Sequence, residues 1–118
     1  TYDDVLITML YHRKLDEGWS KVAKELKARF ECKVMGRSRK QKVLLSDDFV
    51  LERLKIDNQI YTYKEYENSF TQPNPYVNTQ MIESAISQAR GIGKGDLLES
   101  YCGLGNLTLP LSKYFNKV

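Results

Sequence analysis

The chain has 118 residues, a formal net charge of +3 and 42% hydrophobic residues. That length allows one sizeable core, burying roughly two-thirds of the unfolded surface, and not two complete domains. No apolar run approaches the ~18 residues of a membrane span, and the well-mixed charges argue against disorder.

The net charge conceals an asymmetry. From His12 to Lys42 there are eleven Lys/Arg against four Asp/Glu, whereas the remainder carries seven against eleven. A local basic excess suits a surface that meets a polyanion, with an ordinary solvated face as the alternative. Cys32 and Cys102 lie far apart, so two reduced thiols in a cytoplasmic protein are expected rather than a disulfide framework.

In chain order, Val5 to Tyr11 is apolar on both alternating faces and predicts a strand in the interior of a sheet. Trp19, Val22, Ala23, Leu26 and Phe30 then form one helical stripe, with Asp16 as N-cap. "CKVMGRSRKQKVLL" predicts a hairpin whose tip gathers Arg37, Arg39, Lys40 and Lys42. A second hairpin follows, in which Leu54 and Ile56 alternate with charges, Asp57-Asn58 turns, and Ile60 to Tyr66 returns.

After the polar passage 68–75 the period changes. Asn74 and Pro75 open a helix with Val77, Met81, Ile82, Ala85, Ile86 and Ala89 inward, and Gly91, Gly93 and Gly95 end it. A strand at Asp96–Glu99, a glycine loop and a helix over Thr108–Tyr114 complete the pattern, with Pro110 admissible only in the first turn. The expected class is α+β: a mixed central region of strands and a helix, then a second unit of helix, strand and helix after the polar passage.

The loop "ESYCGLGN" leads from a strand to a helix N-terminus, where Gly103 and Gly105 let backbone approach a ligand. By itself G-x-G is equally a tight turn. Thr108 stands where the dinucleotide fingerprint wants a third glycine, which disfavours a pyrophosphate cradle and a nicotinamide oxidoreductase. Glu99 would repel phosphate but suits the cationic sulfonium and ammonium of S-adenosylmethionine.

"LYHRKLDEGW", "YENSFTQPN" and "KGDLLESYCGLGN" together resemble the RNA uracil-5 methyltransferases, in particular the tRNA (uracil-5-)-methyltransferases. The resemblance covers nearly the whole chain and matches an internal piece of the enzyme: it implies the later part of a central RNA-binding region over 1–70 and, over 71–118, the first helix-strand-helix of a truncated Rossmann-like class I domain. It implies S-adenosylmethionine as cofactor, contacted by Gln72, Tyr101 and Asn106, with Gly103 and Gly105 shaping the loop. It further implies tRNA, through its T-arm, as partner, and no membrane or metal. The basic hairpin residues Arg37, Arg39, Lys40 and Lys42 become candidates for RNA backbone contacts, and His12 is expected to be a surface residue near RNA.

In that family a cysteine thiolate adds to C6 of uracil and a carboxylate later removes the C5 proton. Neither Cys32 nor Cys102 matches the nucleophile, so no catalytic residue is expected in this chain and the isolated chain is expected to be inactive. Leu104 departs from the polar residue usual between the glycines. An RNA-binding module without catalysis and a ribosomal-RNA enzyme stand as alternatives.

Overall fold

The computed structural model describes residues 4–118. Its contacts divide the chain into two compact units, one reaching Leu51 and the other running from Glu52 to Val118. The polar passage 68–75 lies inside the second unit.

The first unit holds β1 (Leu6–Leu10), α1 (Glu17–Phe30), β2 (Lys33–Ser38) and β3 (Gln41–Leu44). The sheet order is β1-β2-β3, with β1 parallel to β2 (Leu6 opposite Lys33) and β3 antiparallel to it (Ser38 opposite Gln41). A parallel pair needs a crossover, and α1 supplies it. Among the described residues β1 is therefore an edge strand, contrary to the interior position its sequence suggests. Ile7 and Met9 turn one face toward Ala23, Cys32 and Val34, while Leu10 on the other face is 75% exposed.

Asp16 caps α1 as expected, its carboxylate accepting from Trp19 N at 2.9 Å. The buried stripe is narrower than the periodicity implied: Ala23 is buried and Trp19 and Leu26 pack beside it, but Val22 and Phe30 are exposed. Trp19 explains a glycine in mid-strand. A Cβ on Gly36 would lie 2.5 Å from Trp19 Cζ2 and 2.6 Å from Leu15 Cδ1, so the indole rests directly on the backbone of β2. Gly36→Ala is expected to destabilise this unit by about 1–3 kcal/mol through overpacking. A urea midpoint that stays at the wild-type value would refute that account.

In the second unit β4 (Phe49–Ile56) and β5 (Gln59–Tyr66) form a hairpin closed by Asp57 and Asn58, whose φ values of 49° and 60° are those of a tight left-handed turn. Its inner face, Leu54, Ile56 and Tyr63, packs on Ile82, Ile86 and Ala89 of α2 (Pro75–Ile92) and on Leu111. Asn74 caps α2 by accepting from Val77 N at 3.1 Å, and the helix ends before Gly93, at φ 82°. The buried stripe of α2 is rotated from the expected one. Val77 and Met81 are exposed, and the first buried position is Asn78, at 2%.

The expected strand Asp96–Glu99 is reduced to one parallel bridge between Asp96 and Lys117. Its hydrogen bonds run from Leu97 N to Lys117 O (2.9 Å) and from Asn116 N to Gly95 O (2.7 Å). A parallel strand takes its hydrogen bonds from its neighbours, and among the described residues only the segment around Lys117 provides them. The expected Thr108–Tyr114 helix forms as α3 (Thr108–Leu111) continued by a 3-10 turn (Ser112–Tyr114), with Pro110 inside the first turn. The α+β class therefore holds.

Candidate functional site

The loop that follows Glu99 is built from left-handed backbone. Tyr101, Gly103 and Gly105 have φ of 60°, 56° and 84°, and Gly105 N donates to Cys102 O at 2.9 Å to close a turn. A non-glycine residue at positive φ is disfavoured, so Tyr101 is held against its own preference. Its side chain is fully exposed, so the ring packs into neither hydrophobic core.

The other loop contacts tie it down. Thr108, at the position of the missing third glycine, donates its hydroxyl to Glu99 Oε2 and so joins the two ends of the loop. Asn106 and Asn78 form a reciprocal amide pair, Asn78 Nδ2 to Asn106 Oδ1 at 2.9 Å and Asn106 Nδ2 to Asn78 Oδ1 at 2.7 Å. Tyr63 Oη donates to Asn106 O at 3.1 Å, and burial pushes that phenol's pKa well up. The loop is thus fastened to both α2 and β5.

Under this loop lies a cavity of about 150 Å³ lined by Gln72, Asn78, Glu99, Tyr101, Cys102, Gly103, Leu104 and Asn106, and by Glu52 and Glu65 from the hairpin. Four of the five residues assigned to the cofactor by resemblance meet here: Gln72, Tyr101, Gly103 and Asn106. Gly105 does not line the cavity. A Cβ there would approach Leu109 and Thr108, at 3.6–3.9 Å, so this glycine serves the turn into α3. The volume lies below the ~300 Å³ at which small-molecule pockets usually begin, so the cavity takes one part of a cofactor. Three carboxylates and no Lys or Arg line it, which favours a cationic ligand.

Sequence reasoning missed Asn78, Glu52 and Glu65. Asn78 carried a signal, since it falls at i−4 and i−8 of Ile82 and Ile86 on the buried stripe, where an amide must find a partner. The hairpin glutamates carried only their parity: Glu52 is in step with Leu54 and Ile56 and Glu65 with Tyr63, but a charge near a strand end gives no sign that the buried face continues to it.

The basic residues belong to the first unit and separate into two groups. Arg39 and Lys40 are exposed at the β2–β3 turn and line a notch of about 360 Å³ with His12, Arg13 and Lys14 of the β1–α1 loop. Gln41 clips these two loops together, its side chain accepting from Leu15 N (2.9 Å) and donating to Leu15 O (3.1 Å). Lys42, by contrast, pairs with Asp48 at 2.7 Å, and Arg37 sits half-buried within β2. Arg39 and Lys40 thus share one notch with Arg13 and Lys14, and Arg37 and Lys42 lie outside it.

The family model of the tRNA (uracil-5-)-methyltransferases matches residues 1–118, the entire chain. The chain belongs to this family. Among curated relatives it is 65% identical to the tRNA/tmRNA (uracil-C(5))-methyltransferase of a Sulfurovum species, over all of this chain and 32% of that protein. It is 49% identical to the proteins of the same name from a Nitratiruptor species, covering 96% of this chain and 31% of the relative, and from Neisseria gonorrhoeae, covering 98% and 32%. The chain spans about a third of the length of the curated relatives it matches. In this chain Gln72, Tyr101, Gly103 and Asn106 line one acidic cavity, and Arg39 and Lys40 line one basic notch. Among the described residues no helix is long and apolar enough to cross a membrane.

Proposed function

We propose that this chain is part of an enzyme that transfers a methyl group from S-adenosylmethionine to C5 of the T-loop uridine of tRNA, giving 5-methyluridine. One observation carries the reading: Gln72, far from the glycine loop in sequence, joins Tyr101, Gly103 and Asn106 of that left-handed loop in lining one acidic cavity. When bound, the cofactor supplies an electrophilic methyl group on a sulfonium. The chain's own residues would hold it. The Gln72 amide and the unused donor and acceptor of Asn106 offer hydrogen bonds, Tyr101 offers an exposed ring, and Glu99, anchored by Thr108, keeps negative charge near the sulfonium.

The single parallel bridge, reached from the loop through α3, has the connectivity of a βαβ crossover and supports a Rossmann-like domain starting near residue 71. The notch of Arg13, Lys14, Arg39 and Lys40 supports the 1–70 segment as the part that holds RNA backbone.

The test uses S-adenosylmethionine labelled in its methyl group with unmodified tRNA transcripts. A protein of the relatives' full length carrying this sequence is expected to label the T-loop uridine. The 118-residue chain alone is expected to show no turnover, because neither Cys32, buried in the first unit, nor Cys102, exposed in the loop, matches the family's nucleophile. Turnover by the isolated chain, or labelling of ribosomal RNA in place of tRNA, would overturn the assignment.

A further inference from the structure

The glycine loop and Gln72 make one side of the acidic cavity, and the β4–β5 hairpin makes another. Strand alternation places Glu52 on the face of β4 that carries Leu54 and Ile56, and Glu65 on the face of β5 that carries Tyr63. Two carboxylates thus continue an otherwise apolar face, and both line the cavity. Burial raises the pKa of each, and the charge of Glu52 raises that of Glu65 further. Glu65 is part-buried, and its Oε2 is enclosed with no hydrogen-bond partner among the described residues. An orphaned buried acceptor is costly and calls for a donor from whatever fills the space beside it. Glu99 differs, since it already accepts from Thr108.

We infer that Glu52 and Glu65 form a subsite for the α-ammonium group of the methyl donor, so that the hairpin selects a cationic amino-acid nucleoside over an anionic nucleotide. The inference rests on the donor reading above and adds two residues that the family's glycine loop does not contain. An ammonium brings three N–H donors and a positive charge. It satisfies Glu65 Oε2 and relieves the repulsion between the two carboxylates at once. A phosphate in the same place would do neither.

Isothermal titration with the full-length protein separates the possibilities, using S-adenosylmethionine, S-adenosylhomocysteine and 5′-methylthioadenosine, which lacks the amino-acid portion. Glu65→Gln is expected to weaken the first two by about tenfold and to leave the third unchanged, as the loss of one charge-assisted hydrogen bond implies. Glu52→Gln should act in the same direction and less strongly. Gln preserves side-chain shape, and a circular-dichroism melt on each variant checks that the fold is retained. Unchanged affinities for S-adenosylmethionine in both variants would overturn the subsite while the donor reading stood, as would an equal loss for all three ligands. If the wild-type protein bound none of the three, the donor reading itself would fail and take the subsite with it.

Discussion

Reversing the charge of Arg39 and Lys40 together is expected to weaken tRNA binding by the full-length protein on the order of a hundredfold at low salt, and to flatten the salt dependence. Both side chains are exposed at the two-residue turn between β2 and β3, where they line one notch with Arg13 and Lys14. The Gln41 clip to Leu15 fixes the spacing of the two loops, so the charges are pre-placed and do not lose freedom separately on binding. If each side chain neutralises one phosphate, the slope of log K against log salt should fall by about two in magnitude. Lys21→Glu with Lys24→Glu, both exposed on α1, makes the same change in net charge away from the notch. The notch is the contact surface only if that control loses far less. Equal losses from the two double variants would mean long-range attraction without a local site, and no loss from either would remove the first unit from RNA binding.

The sequence exposed elements more readily than their surroundings. Both hairpins, the Asp16 and Asn74 caps and the first-turn placement of Pro110 rest on local chemistry, in which a side chain and the backbone within four residues decide the outcome. What failed depended on neighbours. The apolar faces of β1 could not say whether anything covers the second one, and the segment 96–99 could not say how many strands would pair with it. The same distinction runs through the candidate site. Gln72, Tyr101, Gly103 and Asn106 were legible through their motifs, but Glu52 and Glu65 enter the cavity only because the hairpin's buried face extends past Leu54 and Tyr63 to the loop. Lys42 shows the converse. It belongs to the same basic run but lies outside the notch and pairs with Asp48, six residues on, which no pattern in the run announces.

Alanine at Asn78 is expected to lower the stability of the second unit by about 2–3 kcal/mol and to weaken S-adenosylmethionine binding beyond what the stability loss explains. Asn78 is 2% exposed and touches the loop through both atoms of its amide, so truncation leaves the Asn106 amide without its two partners. Tyr63 would still hold the Asn106 carbonyl, which keeps the backbone near its place while freeing the side chain to rotate. The position of the Asn106 side chain, and not the presence of the loop, is therefore what the change removes. A double-mutant cycle with Asn106→Ala measures it: the two losses should fall short of additivity by about 1–2 kcal/mol in urea unfolding, because each single change already breaks the pair. Donor titration supplies the second readout. If Asn106 contacts the donor directly, Asn106→Ala alone and the double variant should bind S-adenosylmethionine equally weakly, with Asn78→Ala between them and the wild type. Strict additivity in stability would show that the two amides do not act as a unit, and wild-type donor affinity in Asn106→Ala would remove Asn106 from the binding site.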